Sequence, residues 1–515
     1  MRALQALLER ERRREFAEQR RHDAEAQGFM DTDPRGHIEM MKSMQERQAL
    51  VRELPEALLA HEAALLQEIE PASSAQADAK AKELDMGVLM ARHLLMERWA
   101  QIAVLPLGAW LVASPLAFGY RAGALVWSDI ISGLLVISFG ALSVGRRPWA
   151  PWANAVVGLW LMFAPLAFWS PDAVAYANDT LVGMLVIAFA VIIPMRTEMP
   201  GPDIPPGWTY SPSTWPQRGP IIALAFLSFF MSRYMAAFQL GHIPTAWDPI
   251  FGKGTELVLT SDVSRAFPIS DAGLGAYTYL IEILSGLMGD SRRWRTMPWM
   301  VAMFGFAVIP LGITSVILIM LQPVAVGAWC TLCLTSALLM LIMVTLSLDE
   351  IVAMVQFLVI GRRAGLSAWR LFWIGGSLPR PVEEIGVERR RRNPWAEMFW
   401  GANVPWPLLA GAALGAWLFA SRAVFGTTGA AADAESILGA LIVTVVFIAF
   451  AEVGRVTRFL NILLALAIPV ALWVLPGASL AARVNALVAG ALLIVLSIPR
   501  GPIRNRYGGW DPFIV

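Results

Sequence analysis

The sequence predicts an all-α, polytopic membrane protein with about twelve transmembrane helices. Three observations carry that expectation: the chain is poor in charge, its apolar runs have membrane length, and its arginines alternate between loops. Charged residues make up 16% of the 515 and hydrophobic ones 57%, whereas a soluble globular chain is roughly 25% charged. After Gln101 the apolar runs are each about 17–24 residues long, enough to cross a hydrocarbon core of about 30 Å. They lie near 101–119, 124–144, 151–169, 179–195, 219–240, 273–289, 298–321, 325–347, 403–425, 436–452, 458–475 and 482–499. The runs are continuous rather than alternating, which excludes strands, and backbone polar groups in lipid require helices.

The arginines set the expected orientation. The first thirty residues are charged throughout and hold no apolar core for export, so the N-terminus is expected in the cytosol. Alternate loops then hold Arg146, Arg147, Arg196, Arg218, Arg292, Arg293, Arg295, Arg362, Arg363, Arg370, Arg380, Arg389 to Arg392, Arg455, Arg458, Arg500, Arg504 and Arg506. The other side holds Arg121, Arg233, Lys253, Arg265, Arg422 and Arg483. An excess of about three to one puts both termini inside a bacterial inner membrane. The net charge of +1 says nothing about nucleic acid, because no basic face remains outside the interface loops, and lipid is the expected surrounding partner.

Residues 1–98 are expected to form a cytosolic helical segment, with Leu4, Leu7 and Leu8 at helical spacing and a turn at Asp31-Thr32-Asp33-Pro34-Arg35-Gly36; it is read as a helical hairpin at the membrane surface, with a specific partner-binding role as the alternative. A membrane block follows at 99–197. Within it Gly108, Trp110, Pro115, Asp129 and Gly133 recur at one constant offset as Gly158, Trp160, Pro165, Asp179 and Gly183. A second constant offset carries Trp110 to Trp417, Ser114 to Ser421, Gly119 to Gly426, Asn154 to Asn461, Asn178 to Asn485 and Gly183 to Gly490. The block therefore returns at 403–500, and a two-helix unit is used four times. The glycines suit close helix approach. Asp129 and Asp179 are read as helix N-caps, with a proton relay as the alternative. These units resemble the SPW repeat family of small membrane modules, although Leu116 follows Ser114-Pro115 where the family carries its namesake tryptophan.

Between the blocks, 217–360 holds both cysteines of the chain, as Trp329-Cys330-Thr331-Leu332-Cys333. A spacing of three is that of a redox pair. The pair is expected at the outer start of a helix, where the dipole favours a thiolate and the compartment permits disulfides. The competing readings are two buried apolar residues or half of a zinc site. The second lacks further ligands, because His22, His37, His61, His93 and His242 are scattered.

The segment also resembles the vitamin K epoxide reductase family of membrane disulfide-forming enzymes. The likeness rests on the loop 241–272 with Ser261, on Gly275 and Tyr279 opening the second helix, and on Cys330-Thr331-Leu332-Cys333-Leu334-Thr335-Ser336. It implies a four-helix bundle and a Cys330–Cys333 pair that exchanges electrons with a quinone of ubiquinone or menaquinone type. Ser261, Gly275, Tyr279 and Trp329 are the cofactor contacts it implies, with a periplasmic thiol protein as the partner. Two departures stand out. The loop lacks the family's second cysteine pair, with Thr255 near the place of one member, and Ala337 replaces the tyrosine that often follows the motif. The expected function is a quinone-linked thiol–disulfide oxidoreductase. A non-catalytic quinone-binding scaffold and a transporter are the alternatives; repeats suit a transporter, but the spans lack paired buried charges. A basic linker, 361–402, and a cytosolic tail, 501–515, complete the organisation.

Overall fold

The computed structural model describes residues 99–120, 122–145, 147–192, 202–378 and 394–514. The segment 1–98 and the Arg389–Arg392 run of the linker lie outside the described residues. Among the described residues the fold is helical, and eleven helices are long and apolar enough to cross a membrane. The protein is therefore a multi-pass membrane protein.

The first block comprises α1 (Trp99–Phe118), α2 (Gly123–Val144), α3 (Ala150–Ala167) and α4 (Ala173–Val191). Its glycines pair across helices as their spacing predicts. A Cβ on Gly108 would meet the Gly133 carbonyl at 2.7 Å, and one on Gly158 would meet that of Gly183 at 2.7 Å. The repeat is also visible in its hydrogen bonds. Trp110 Nε1 donates to Asn178 Oδ1 at 2.8 Å, and Trp160 Nε1 donates to Ser128 Oγ at 3.0 Å. Ser128 and Asn178 are equivalent positions of the two units, so each unit's tryptophan bonds the other unit, as a pseudo-two-fold relation demands.

The second block, α12 (Trp406–Phe425), α13 (Gly429–Phe450), α14 (Leu460–Val474) and α15 (Leu480–Ser497), repeats part of this. Trp417 Nε1 donates to Asn485 Oδ1 at 3.0 Å, across the same 68 residues as its counterpart. Ser421 and Ser114 both donate to a carbonyl three residues back.

The N-cap reading of Asp129 and Asp179 is corrected. The caps are Ala122 and Asp172, and both aspartates lie well inside their helices, fully buried. The small and apolar residues before them extend each helix nearly two turns further than the acid suggested. The two carboxyl groups come within hydrogen-bonding reach of each other.

Between the blocks stand α5 (Trp215–Gln239), α8 (Asp271–Leu287), α10 (Pro298–Leu321) and α11 (Thr331–Arg363). They close on a core that includes Ile221, Tyr279, Ile283, Phe304, Met340 and Met343. The loop between α5 and α8 carries two short helices, α6 (Gly254–Leu259) and α7 (Asp262–Arg265). The span expected near 273–289 is α8, with 17 residues, the shortest of the four and largely buried.

The expected end of the last core helix near 347 is also corrected. Helix α11 runs for 33 residues, about 50 Å at 1.5 Å per residue. Asp349 and Glu350 look like an exit to water but are buried. Tyr210 Oη donates to Asp349 at 2.8 Å, and Arg293, from α9 (Arg293–Thr296), reaches both Glu350 oxygens at 2.6 Å. The tail packs here too: Trp208 pairs with Tyr507, and Trp208 Nε1 donates to Gln356.

Candidate redox site

Cys330 and Cys333 form a disulfide at the start of α11, with a Cα–Cα separation of 5.3 Å. The motif alone suggests that a helical first turn must tighten to close this bond, since i, i+3 partners on a helix have Cβ atoms about 5–6 Å apart. The structure solves the problem differently. Cys330 is the N-cap, in extended backbone at φ −114° and ψ 112°, so only Cys333 is helical and no turn is distorted. The Cys330 sulfur then does the work of a capping oxygen, accepting the Cys333 N–H at 3.1 Å. Cys330 is fully buried, whereas Cys333 is half-buried.

The loop holds this helix start through Asp248. One carboxylate oxygen accepts the Ile250 and Phe251 N–H groups and the Thr331 hydroxyl; the other accepts the Thr331 N–H at 3.0 Å and the Thr255 hydroxyl at 2.7 Å. Burial opposes ionisation of Asp248, but the Thr331, Phe251 and Thr255 hydrogen bonds outweigh it and hold the carboxyl well below its usual range. An anion at a helix N-terminus is favoured by the dipole as well. Thr255 is fully buried, and its hydroxyl also lies 3.5 Å from Cys330 Sγ. Gln322 Oε1 accepts the Cys330 N–H at 3.0 Å. At Gly254 the loop approaches so closely that a Cβ would collide with the Trp329 carbonyl, so glycine is required there.

Both repeat blocks brace this end. From the first block, the Ser170 carbonyl meets His242 Nε2 at 2.8 Å, Trp169 Nε1 donates to the Pro268 carbonyl at 3.0 Å, and Tyr176 lies under the Arg233 guanidinium at 3.5 Å. Burial, with the Arg233 charge behind it, lowers the His242 pKa below the ordinary histidine value against the opposing Ser170 hydrogen bond. From the second block, Phe419 packs edge-on against Trp329 at 4.7 Å, and Arg422 donates to the Pro323 carbonyl at 3.1 Å. Trp329 thus sits between Phe419 and Phe251, a packing residue at the rim of the site.

The remaining expected contacts are dispersed. Ser261 caps α7: its hydroxyl accepts the Ser264 N–H and donates to the Val258 carbonyl. Tyr279 is buried in the bundle core, in a different cluster from Cys330. Gly275 lies near Ser232, 3.5 Å from where a Cβ would stand. Tyr277, two residues before Tyr279, instead borders the cysteine cluster, together with Phe163, Tyr234, Phe238 and Leu332. Sequence reasoning passed over Asp248. Its signal was present, as an acidic residue before Pro249 in a loop otherwise poor in carboxylates at that point, but only the fold brings it to Thr331.

Residues 220–348 match the model of the vitamin K epoxide reductase family, and residues 98–193 match that of the SPW repeat domain. No curated protein and no solved structure matches the chain. With most of the four-helix bundle and its disulfide inside the first match, and the tryptophan-bonded helix pairs inside the second, the chain carries a vitamin K epoxide reductase family domain preceded by an SPW repeat domain.

Proposed function

We propose that this protein is a quinone-linked thiol–disulfide oxidoreductase of the bacterial inner membrane, with Cys330 and Cys333 as the redox pair on the outer side. The family match supports the reaction class at the level of the domain. The arginine asymmetry supports the orientation. The observation that carries the reading is the unequal burial of the two sulfurs at a helix start, with the Cys333 N–H donating to the buried one.

That asymmetry supports a division of roles. A thiolate of a periplasmic dithiol protein attacks Cys333 Sγ, the half-buried sulfur. A mixed disulfide forms at Cys333, the Cys330–Cys333 bond breaks, and its electron pair goes to Cys330 Sγ. The Cys333 N–H stabilises that thiolate, as does the helix dipole. The partner's second thiol then attacks its own sulfur in the mixed disulfide, leaving the partner oxidised and Cys333 reduced. No loop cysteine takes part, because the partner reaches the motif directly. A quinone supplies the acceptor for the two electrons and two protons of the resulting dithiol. Met235, Phe238 and Tyr277 would hold it beside Cys333, where the surroundings are apolar and partly aromatic.

Single-serine variants test the assignment. Cys330→Ser leaves Cys333 as a lone half-buried thiol, which is expected to attack a small disulfide such as oxidised glutathione, forming a mixed disulfide on Cys333 and releasing one glutathione thiol, read as a mass increase. Cys333→Ser is expected to trap far less. Equal trapping by both variants contradicts the roles, and no trapping by either returns the domain to the scaffold reading.

A further inference from the structure

A cavity of about 920 Å³ lies far from the disulfide, in the seam between α11 and the second block. Its walls are Ile342 and Leu346 on one side and Leu409, Phe447 and Phe450 on the other. It opens beside the exposed Phe399, Val404 and Leu409. One end is polar, formed by Asn403, Glu452, Arg504 and Asn505. Volume and lining match a ligand site, apolar with a few convergent polar groups.

The polar end carries excess positive charge. Glu452 is buried and saturated: Asn403 Nδ2, Tyr507 Oη and the N–H groups of Arg504 and Asn505 all donate to it. Arg455 stands behind Asn403, donating to its Oδ1, fully buried, with Nε and Nη1 lacking partners. Arg504 is exposed and its guanidinium has no partner among the described residues. The polar end of the apolar slot therefore holds one carboxylate, Glu452, against the Arg504 guanidinium, with Arg455 buried behind Asn403.

We propose that this cavity binds one anionic phospholipid, its acyl chain against Ile342, Leu346, Leu409 and Phe447 and its phosphate at Arg504. The lipid would wedge the catalytic bundle against the second repeat block. A quinone serving the disulfide is not the occupant, since Ile342 lies about 18 Å along α11 from Cys330 at 1.5 Å per residue. The chain's own segment at 379–393 is a poor match for apolar walls, carrying Glu383, Glu384 and Arg389 to Arg392.

The full-length protein, delipidated in detergent, is titrated with phosphatidylglycerol and phosphatidylcholine of identical chains and read by native mass spectrometry. Phosphatidylglycerol is expected to bind more tightly. Arg504→Ala should reduce that preference about fivefold, the equivalent of about 1 kcal/mol for one arginine near a lipid headgroup. Ala396→Trp, at an exposed lining position, should weaken both lipids by obstructing the mouth without burying a new side chain. Headgroup-independent binding that neither variant alters overturns the proposal. So does a rise in lipid binding on removal of residues 381–392, which would make that segment the occupant. Neither result bears on the disulfide chemistry.

Discussion

The two ends of the central bundle are held by opposite means. At the disulfide end a single carboxylate, Asp248, gathers N–H and hydroxyl donors from the loop and from α11, and its partners are all neutral. At the other end, full charges meet in the interior. Arg293 is paired bidentately with Glu350, Tyr210 with Asp349, and Arg218 is spent on the carbonyls of Gly286, Met288 and Gly289 at the end of α8. The contrast separates two tasks. Buried ion pairs fix the mutual position of helices because each partner is costly to leave alone. Around the disulfide, the hydrogen bonds given to Asp248 come from neutral N–H and hydroxyl groups instead.

The largest effect is expected at the charged end. Arg293→Ala leaves Glu350 buried without its partner, which typically costs about 3–5 kcal/mol. The variant is expected to melt well below the wild type in detergent while its remaining folded fraction keeps the disulfide. A wild-type melting temperature would remove the idea that this end is the structural lock.

Asp248→Asn is expected to do less to stability, about 1–2 kcal/mol for the lost charge-assisted bonds and dipole interaction. Unlike Arg293→Ala, it should alter the reactivity of the pair. Its linkage sign is fixed by direction. The folded carboxyl titrates below its unfolded value of about 4, so its contribution is present above that pH and is lost as pH falls through and below it. Wild-type acid denaturation should therefore show a component below about pH 4 that Asp248→Asn lacks. Superimposable acid curves would place the holding force elsewhere.

Thr255→Cys should cost less stability than Asp248→Asn, since it weakens only one of the Asp248 hydrogen bonds, and yet report most directly on the loop. The Thr255 hydroxyl lies 3.5 Å from Cys330 Sγ, so the introduced thiol should exchange into a disulfide with Cys330, detectable by peptide mapping, and free Cys333. If the original pair stays intact under all redox conditions, the loop does not rest against Cys330 as described.

Much of this was legible in the sequence, for identifiable reasons. Apolar run length locates helices because lipid leaves the backbone no alternative. The tryptophan and glycine repeat was readable because it serves one recurring contact, Trp110 to Asn178 and again Trp417 to Asn485. The cysteine spacing announced itself. What escaped were features decided by distant partners. The span expected to end near 347 runs on because Asp349 and Glu350 are held by Tyr210 and Arg293 from other segments. Asp129 and Asp179 read as caps because nothing local shows that they meet each other. Similarly, His242 and Trp329 gave no sign that each is braced by a different repeat block, which assigns the blocks a part in holding the thiol end.

The central claim is that the Cys330–Cys333 disulfide cycles against a quinone. Purified full-length protein, reduced and freed of reductant, is mixed with a ubiquinone or menaquinone analogue, and thiols are quenched by a mass-tagged alkylating agent over time. The account predicts that both tags disappear together as one quinol forms per disulfide closed. Two thiols that stay fully labelled in the presence of excess quinone would contradict it.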